Sequence, residues 1–73
     1  MERKIKMYCV DVDNDGSEFE VRFEINGEIL ERETVYSFDD VLIVSYEFFK
    51  KNCEKYNFDS RRDILEVCLS YTY

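Results

Sequence analysis

Glu18-Phe19-Glu20-Val21-Arg22-Phe23-Glu24-Ile25 alternates charged and apolar residues without a break, and the next two residues are Asn26-Gly27. Alternation with a period of two puts every apolar side chain on one face of an extended chain, so this stretch reads as a strand with one buried face. Asn-Gly supplies the positive φ angles of a type I′ turn, and residues 28–36, which carry Thr34, Val35 and Tyr36, read as the returning strand of a hairpin. A two-residue loop pairs Phe23 with Leu30 and Phe19 with Thr34 on one face. On the other face it pairs Arg22 with Glu31 and Glu20 with Glu33, the second a repulsive pair.

Upstream, residues 4–12 are β-prone, with Ile5, Met7 and Cys9 on one face and Tyr8, Val10 and Val12 on the other. They end at the turn Asp13-Asn14-Asp15-Gly16. Apolar side chains on both faces suit a strand that is central or covered on both sides. Downstream, Ser37-Phe38-Asp39-Asp40 has the composition of a helix start, with Ser37 at the N-cap and two carboxylates where the helix dipole favours them. Val41, Leu42, Ser45, Tyr46, Phe49, Cys53 and Tyr56 recur at helical spacing, so residues 38–56 are predicted helical. The β-branched residues in Val41-Leu42-Ile43-Val44 would also suit a strand. The last segment supports two readings. Ser60-Arg61-Arg62-Asp63 resembles a capping box ahead of a helical stripe, while Leu65, Val67, Leu69, Tyr71 and Tyr73 alternate as in a strand. The expectation is an α+β fold: a three-stranded antiparallel meander, one long helix and a short C-terminal helix, with a C-terminal strand as the alternative.

At 73 residues the chain is expected to form one domain, with six Tyr and six Phe making a dense core for its size. The initiating Met1 suggests a complete small reading frame. Three cysteines without a C-x-x-C pair, and no histidine, point to a reducing, cytoplasmic setting and not to a zinc site. Cys53 and Cys68 fall in apolar patterns and read as inert core residues. No stretch has the pattern of a signal peptide or the length of a transmembrane helix.

The charge is unevenly placed. Of seventeen acidic and ten basic residues, nine carboxylates and only two arginines lie in residues 11–33, so this window carries the whole net charge of −7. Like charges oppose direct nucleic-acid binding through it. Within it, Asp11-Val12-Asp13-Asn14-Asp15-Gly16 matches the opening of a calcium-binding EF-hand loop, in which alternate carboxylates wrap a hard cation. The twelfth position, where a bidentate Glu closes such a loop, is Arg22, and the preceding segment reads as a strand instead of a helix. A turn closed by Asp and Asn side chains explains the same residues, so no metal ligand and no cofactor is expected.

Catalytic constellations are missing from the sequence: no histidine can activate a Ser or Cys, and two glycines cannot build a phosphate-cradling loop. The expectation is a non-enzymatic module that binds a basic surface of a protein partner such as a nucleic-acid-binding enzyme. The expected contact residues are Asp11, Asp13, Asp15, Glu18, Glu20, Glu24, Glu31 and Glu33. In composition and size, though in no motif, the chain resembles the small acidic inhibitors that phages and plasmids direct at host nucleases, including anti-CRISPR and DNA-mimic proteins. That resemblance implies an inhibitor occupying a nucleic-acid-binding surface. Two alternatives stay open: a calcium-binding module using Asp11, Asp13 and Asp15, and a structural homodimer using aromatics such as Tyr71 and Tyr73.

Overall fold

The computed structural model describes residues 2–69. It is α+β, with strands β1 (Arg3–Asp11), β2 (Phe19–Ile25) and β3 (Glu28–Val35), helix α1 (Phe38–Lys55) and strand β4 (Asp63–Cys68). The sheet order is β3-β2-β1-β4. β1, β2 and β3 form the expected antiparallel meander, and β4 lies parallel to β1 on its other side. β1 is therefore central, which explains its two apolar faces.

The Asn26-Gly27 turn forms as expected, with φ of 54° and 86°. Asn26 also ties the turn to β1: its N–H donates to the Lys4 carbonyl at 2.8 Å, and its Oδ1 accepts from the Lys4 N–H at 2.9 Å. The expected hairpin register holds only for the first pairs, Ile25 with Glu28 and Glu24 with Ile29. A β-bulge then intervenes, so that Phe23 faces Glu31, Arg22 faces Arg32 and Glu20 faces Thr34. The physical gain is at the far end of the strand. The shift by one residue turns Val35, instead of Thr34, inward opposite Phe19, where it is buried. It also moves Glu31 and Glu33 to the helix side of the sheet, and the repulsive Glu20–Glu33 pair does not form.

Ser37 caps α1 as predicted, its hydroxyl accepting from the Asp39 N–H at 3.2 Å, and Asp39 and Asp40 occupy the first turn. The buried face is rotated from the predicted stripe. Val41, Ser45, Phe48 and Asn52 point at the sheet, while Leu42 and Tyr46 are exposed. The apolar arc of this helix is wider than one face, because Val44 and Phe48 extend it on one flank and Leu42, Tyr46 and Phe49 on the other. Sequence spacing alone does not say which half is turned inward. The core beneath is formed by Ile5, Met7, Cys9, Phe19, Val21, Phe23, Val35, Val41 and Phe48.

The C-terminal segment is a strand, the alternative reading, and not the expected short helix. Its capping-box pattern is used differently: the Arg62 and Asp63 N–H groups both donate to the Asp59 carbonyl, closing a turn that starts β4 at Asp63. Asp63 then anchors the strand to the start of β1. Its carboxylate accepts from Arg3 Nε and Nη2 at 3.0 and 2.8 Å, from Arg62 Nε at 3.0 Å and from the Asp59 N–H at 2.9 Å. Because α1 carries the chain back along the sheet, β4 runs parallel to β1 and β3. Tyr71 and Tyr73, the aromatics proposed for a homodimer, lie outside the described residues. Among the described residues no helix is long and apolar enough to cross a membrane.

Candidate functional site

The register of the sheet gathers the ends of three strands. Asp11 pairs with Phe19 and Phe19 with Val35, and α1 begins three residues after Val35, with the Phe38 ring 5.9 Å from that of Phe19. The acidic turn between β1 and β2 and the acidic first turn of α1 therefore lie at the same end of the molecule. Asp13, Asp15, Asp39 and Asp40 are exposed there, with Glu18 half-buried. Neither residues 11–18 nor residues 36–49 contain a Lys or Arg. Among the described residues none of these five carboxylates enters an ion pair. Exposed Tyr36 and Ile43 lie on the adjoining surface of the helix and its approach.

The turn is held by its own side chains. The Gly16 N–H donates to the buried Asp11 carboxylate at 3.1 Å, and the Ser17 N–H and hydroxyl donate to Asp15 Oδ1 at 2.9 and 2.6 Å. Asn14 and Gly16 take left-handed φ of 59° and 78°. The Ser17 hydroxyl, followed by its amide, holds the Asp15 carboxyl below the usual carboxylate range. Asp11 and Asp15 thus act as acceptors within the turn. Among the described residues no three acidic, Cys or His side chains converge as metal ligands would.

The eight expected contact residues do not share one surface. Asp13, Asp15 and Glu18 belong to the acidic pole, while Asp11 is buried beneath it. Glu20 and Glu24 lie on the open face of the sheet, and both are engaged. Glu20 pairs with Arg22 at 2.6 Å and with Arg32 at 3.8 Å. Glu24 accepts from the Tyr8 hydroxyl at 3.1 Å, and Lys6 and Arg22 approach the Tyr8 ring at 5.1 and 5.9 Å. Glu31 is on the helix side, where it pairs with Lys55 and accepts from the Tyr56 hydroxyl at 3.0 Å. Glu33 is exposed on that same side. The net charge of residues 11–33 is real, but the sheet distributes it over two faces and one end. Asp39 and Asp40 were missed as site residues because they lie outside that window, and the signal for them was the helix-capping pattern already read for structure.

The thiols also differ from expectation in one respect. Burial raises the pKa of Cys9 and Cys53, with Asp11 and Asp63 respectively adding to it, which suppresses their thiolate forms. Cys68, expected in the core, is exposed on β4.

Among the described residues four carboxyls sit below their ordinary range: Asp63 through Arg3 and then Arg62, Glu31 through Lys55 and then Tyr56, Asp59 through Arg61, and Asp15 through Ser17. A depressed carboxyl pKa contributes stability that is complete above its unfolded value and lost as pH falls through the folded one. The urea midpoint should therefore drop steadily below about pH 4, the unfolded carboxylate range. Asp63 matters most, because its side chain is fully buried between two guanidiniums. Asp63→Asn should flatten the acid limb of the curve more than Asp15→Asn does, as read by urea titrations at a series of pH values; equal slopes would contradict the assignment.

No family model, no curated protein and no solved structure matches this chain.

Proposed function

We propose that this chain is a non-enzymatic binding module whose acidic pole, Asp13, Asp15, Glu18, Asp39 and Asp40, docks on a Lys/Arg-lined surface of a protein partner. The observation that carries the reading is the collection of these carboxylates at one end of the fold, from two separate elements, with no cation paired to them among the described residues. Each has a local structural reason, the Asp-rich turn or the helix dipole, but neither reason requires the two to share one end. Tyr36 and Ile43 beside the carboxylates supply what charge alone lacks: an aromatic and an aliphatic anchor that gain from desolvation at the centre of an interface. A partner site that normally holds nucleic-acid phosphates has the complementary charge, and occupation by the acidic pole would inhibit it. The open face of the sheet is a poorer candidate, since its carboxylates are already matched by Arg22, Arg32 and Tyr8.

The test starts from the partner retained by the immobilised protein in extract of its source cell at low salt. Duplex DNA or RNA should displace that partner in proportion to concentration. Retention unaffected by saturating nucleic acid would count against a shared basic site.

A further inference from the structure

The two edges of the sheet are built differently. β3 carries Glu28, Glu31, Arg32 and Glu33 and a bulge, the usual devices that keep an edge strand from pairing with another chain. β4 has no bulge and fewer charges. Its sequence Asp-Ile-Leu-Glu-Val-Cys places Ile64, Leu65 and Val67 on an edge strand, at 50%, 39% and 46% exposure. Its one solvated charge is Glu66, because Asp63 is buried between Arg3 and Arg62. The register with Ile5 and Met7 sets Leu65 and Val67 on the helix side of the sheet. α1 does not cover them: it packs on β2 and β3. A helix of about 10 Å is narrower than four strands spaced about 4.8 Å apart, and although Ile5, Met7 and Cys9 of β1 are buried, the β4 edge of the helix side stays open. A groove of about 580 Å³ lies on the flank of α1 and the segment after it, lined by Tyr46, Phe49, Cys53 and Phe58 among others.

We propose that a second copy of this chain pairs with β4, antiparallel and about a two-fold axis, to continue the sheet across both molecules. Self-complementarity argues for a second copy as the occupant. With the axis at Val67, that side chain meets its own mate, Leu65 meets Leu69 of the second copy, and Glu66 faces Cys68 instead of another Glu66. The apolar residues on the helix side join into one strip, and the open N–H and C=O groups of both edges find partners. The charge distribution favours the same arrangement. Each copy has its acidic pole beyond the C-terminal end of β4 and Arg61, exposed though paired with Asp59 at 3.2 Å, just before its N-terminal end. Antiparallel pairing sets the acidic turn of one copy level with Arg61 of the other, about two strand spacings or roughly 10 Å away. A parallel arrangement would bring the two acidic poles together.

Sedimentation of the full chain over a concentration series tests it. The wild type should shift from 8.9 kDa to twice that mass. Val67→Lys sets two cations against each other on the axis and should raise the dimer dissociation constant at least about tenfold, with an unchanged circular dichroism spectrum because the side chain is exposed. The β4 amides that point away from β1 should exchange more slowly as concentration rises. A folded wild type that stays monomeric throughout, or a Val67→Lys variant as dimeric as the wild type, overturns the proposal. Should Val67→Lys fail to fold, hydrogen exchange of the wild type decides: protection of the outward amides that does not depend on concentration means that the chain covers its own edge, and also overturns it.

Discussion

Phe23→Ala should remove about 3–5 kcal/mol of stability, the range for truncating a buried aromatic. A chain of 73 residues has a total of about 4–11 kcal/mol, at roughly 0.05–0.15 kcal/mol per residue, so the variant should lose from roughly a quarter of its stability to all of it. Phe23 is fully buried in the middle of β2, and its ring stacks on Tyr56 at 5.7 Å between centroids. Tyr56 in turn donates to Glu31, which pairs with Lys55. One substitution thus opens a cavity between sheet and helix and loosens the contact that holds the end of α1 against β3. Phe23→Leu keeps most of the volume and should lose less than about 1.5 kcal/mol if the core repacks. Urea unfolding followed by circular dichroism measures both, and a loss below about 1 kcal/mol for Phe23→Ala would show that the helix is not seated on this residue.

The second large effect is a gain. Ser45 is fully buried on the sheet-facing side of α1, and among the described residues its hydroxyl has no hydrogen-bond partner. Asn52, two turns on, is half-satisfied: its Nδ2 donates to the Phe48 carbonyl at 2.9 Å, while its Oδ1 has no partner. A buried polar atom left unpaired is destabilising by about 1–3 kcal/mol. Ser45→Ala removes such an atom with little change of shape and replaces it with the best helix former. Stability should rise by about 1–3 kcal/mol, read as a higher urea midpoint at constant m-value. A fall in stability would mean that the hydroxyl bonds a water held under the helix. Asn52→Ala should gain less, because it also gives up the bond to Phe48.

The meander, the Asn26-Gly27 turn and the Ser37 cap were legible because each is fixed by local chemistry: strict alternation, a pair of left-handed residues, a side-chain acceptor at a helix start. What escaped depends on contacts between elements. The bulge near Glu24 follows from burying Val35 at the far end of β3, which no pattern within the hairpin announces. The helix rotates because the sheet admits Phe48 in preference to Tyr46, a choice between two halves of one apolar arc. β4 carried both signals, and the tie was broken by Arg3, sixty residues away, reaching Asp63. The acidic window was legible as charge but not as a surface. Period-two alternation sends neighbouring carboxylates to opposite faces, and the pole is completed by Asp39 and Asp40 from another element.

If the acidic pole carries the interaction, its carboxylates set how the affinity for the captured partner varies with salt. Asp13→Asn/Asp39→Asn/Asp40→Asn removes three exposed charges with little change of shape. Relative to wild type it should weaken binding about tenfold or more at low salt, mainly through slower association, and show a shallower salt dependence. Glu20→Gln, on the open face of the sheet, should leave both quantities unchanged. Equal affinity and equal salt slope for the triple variant and the wild type would contradict the account.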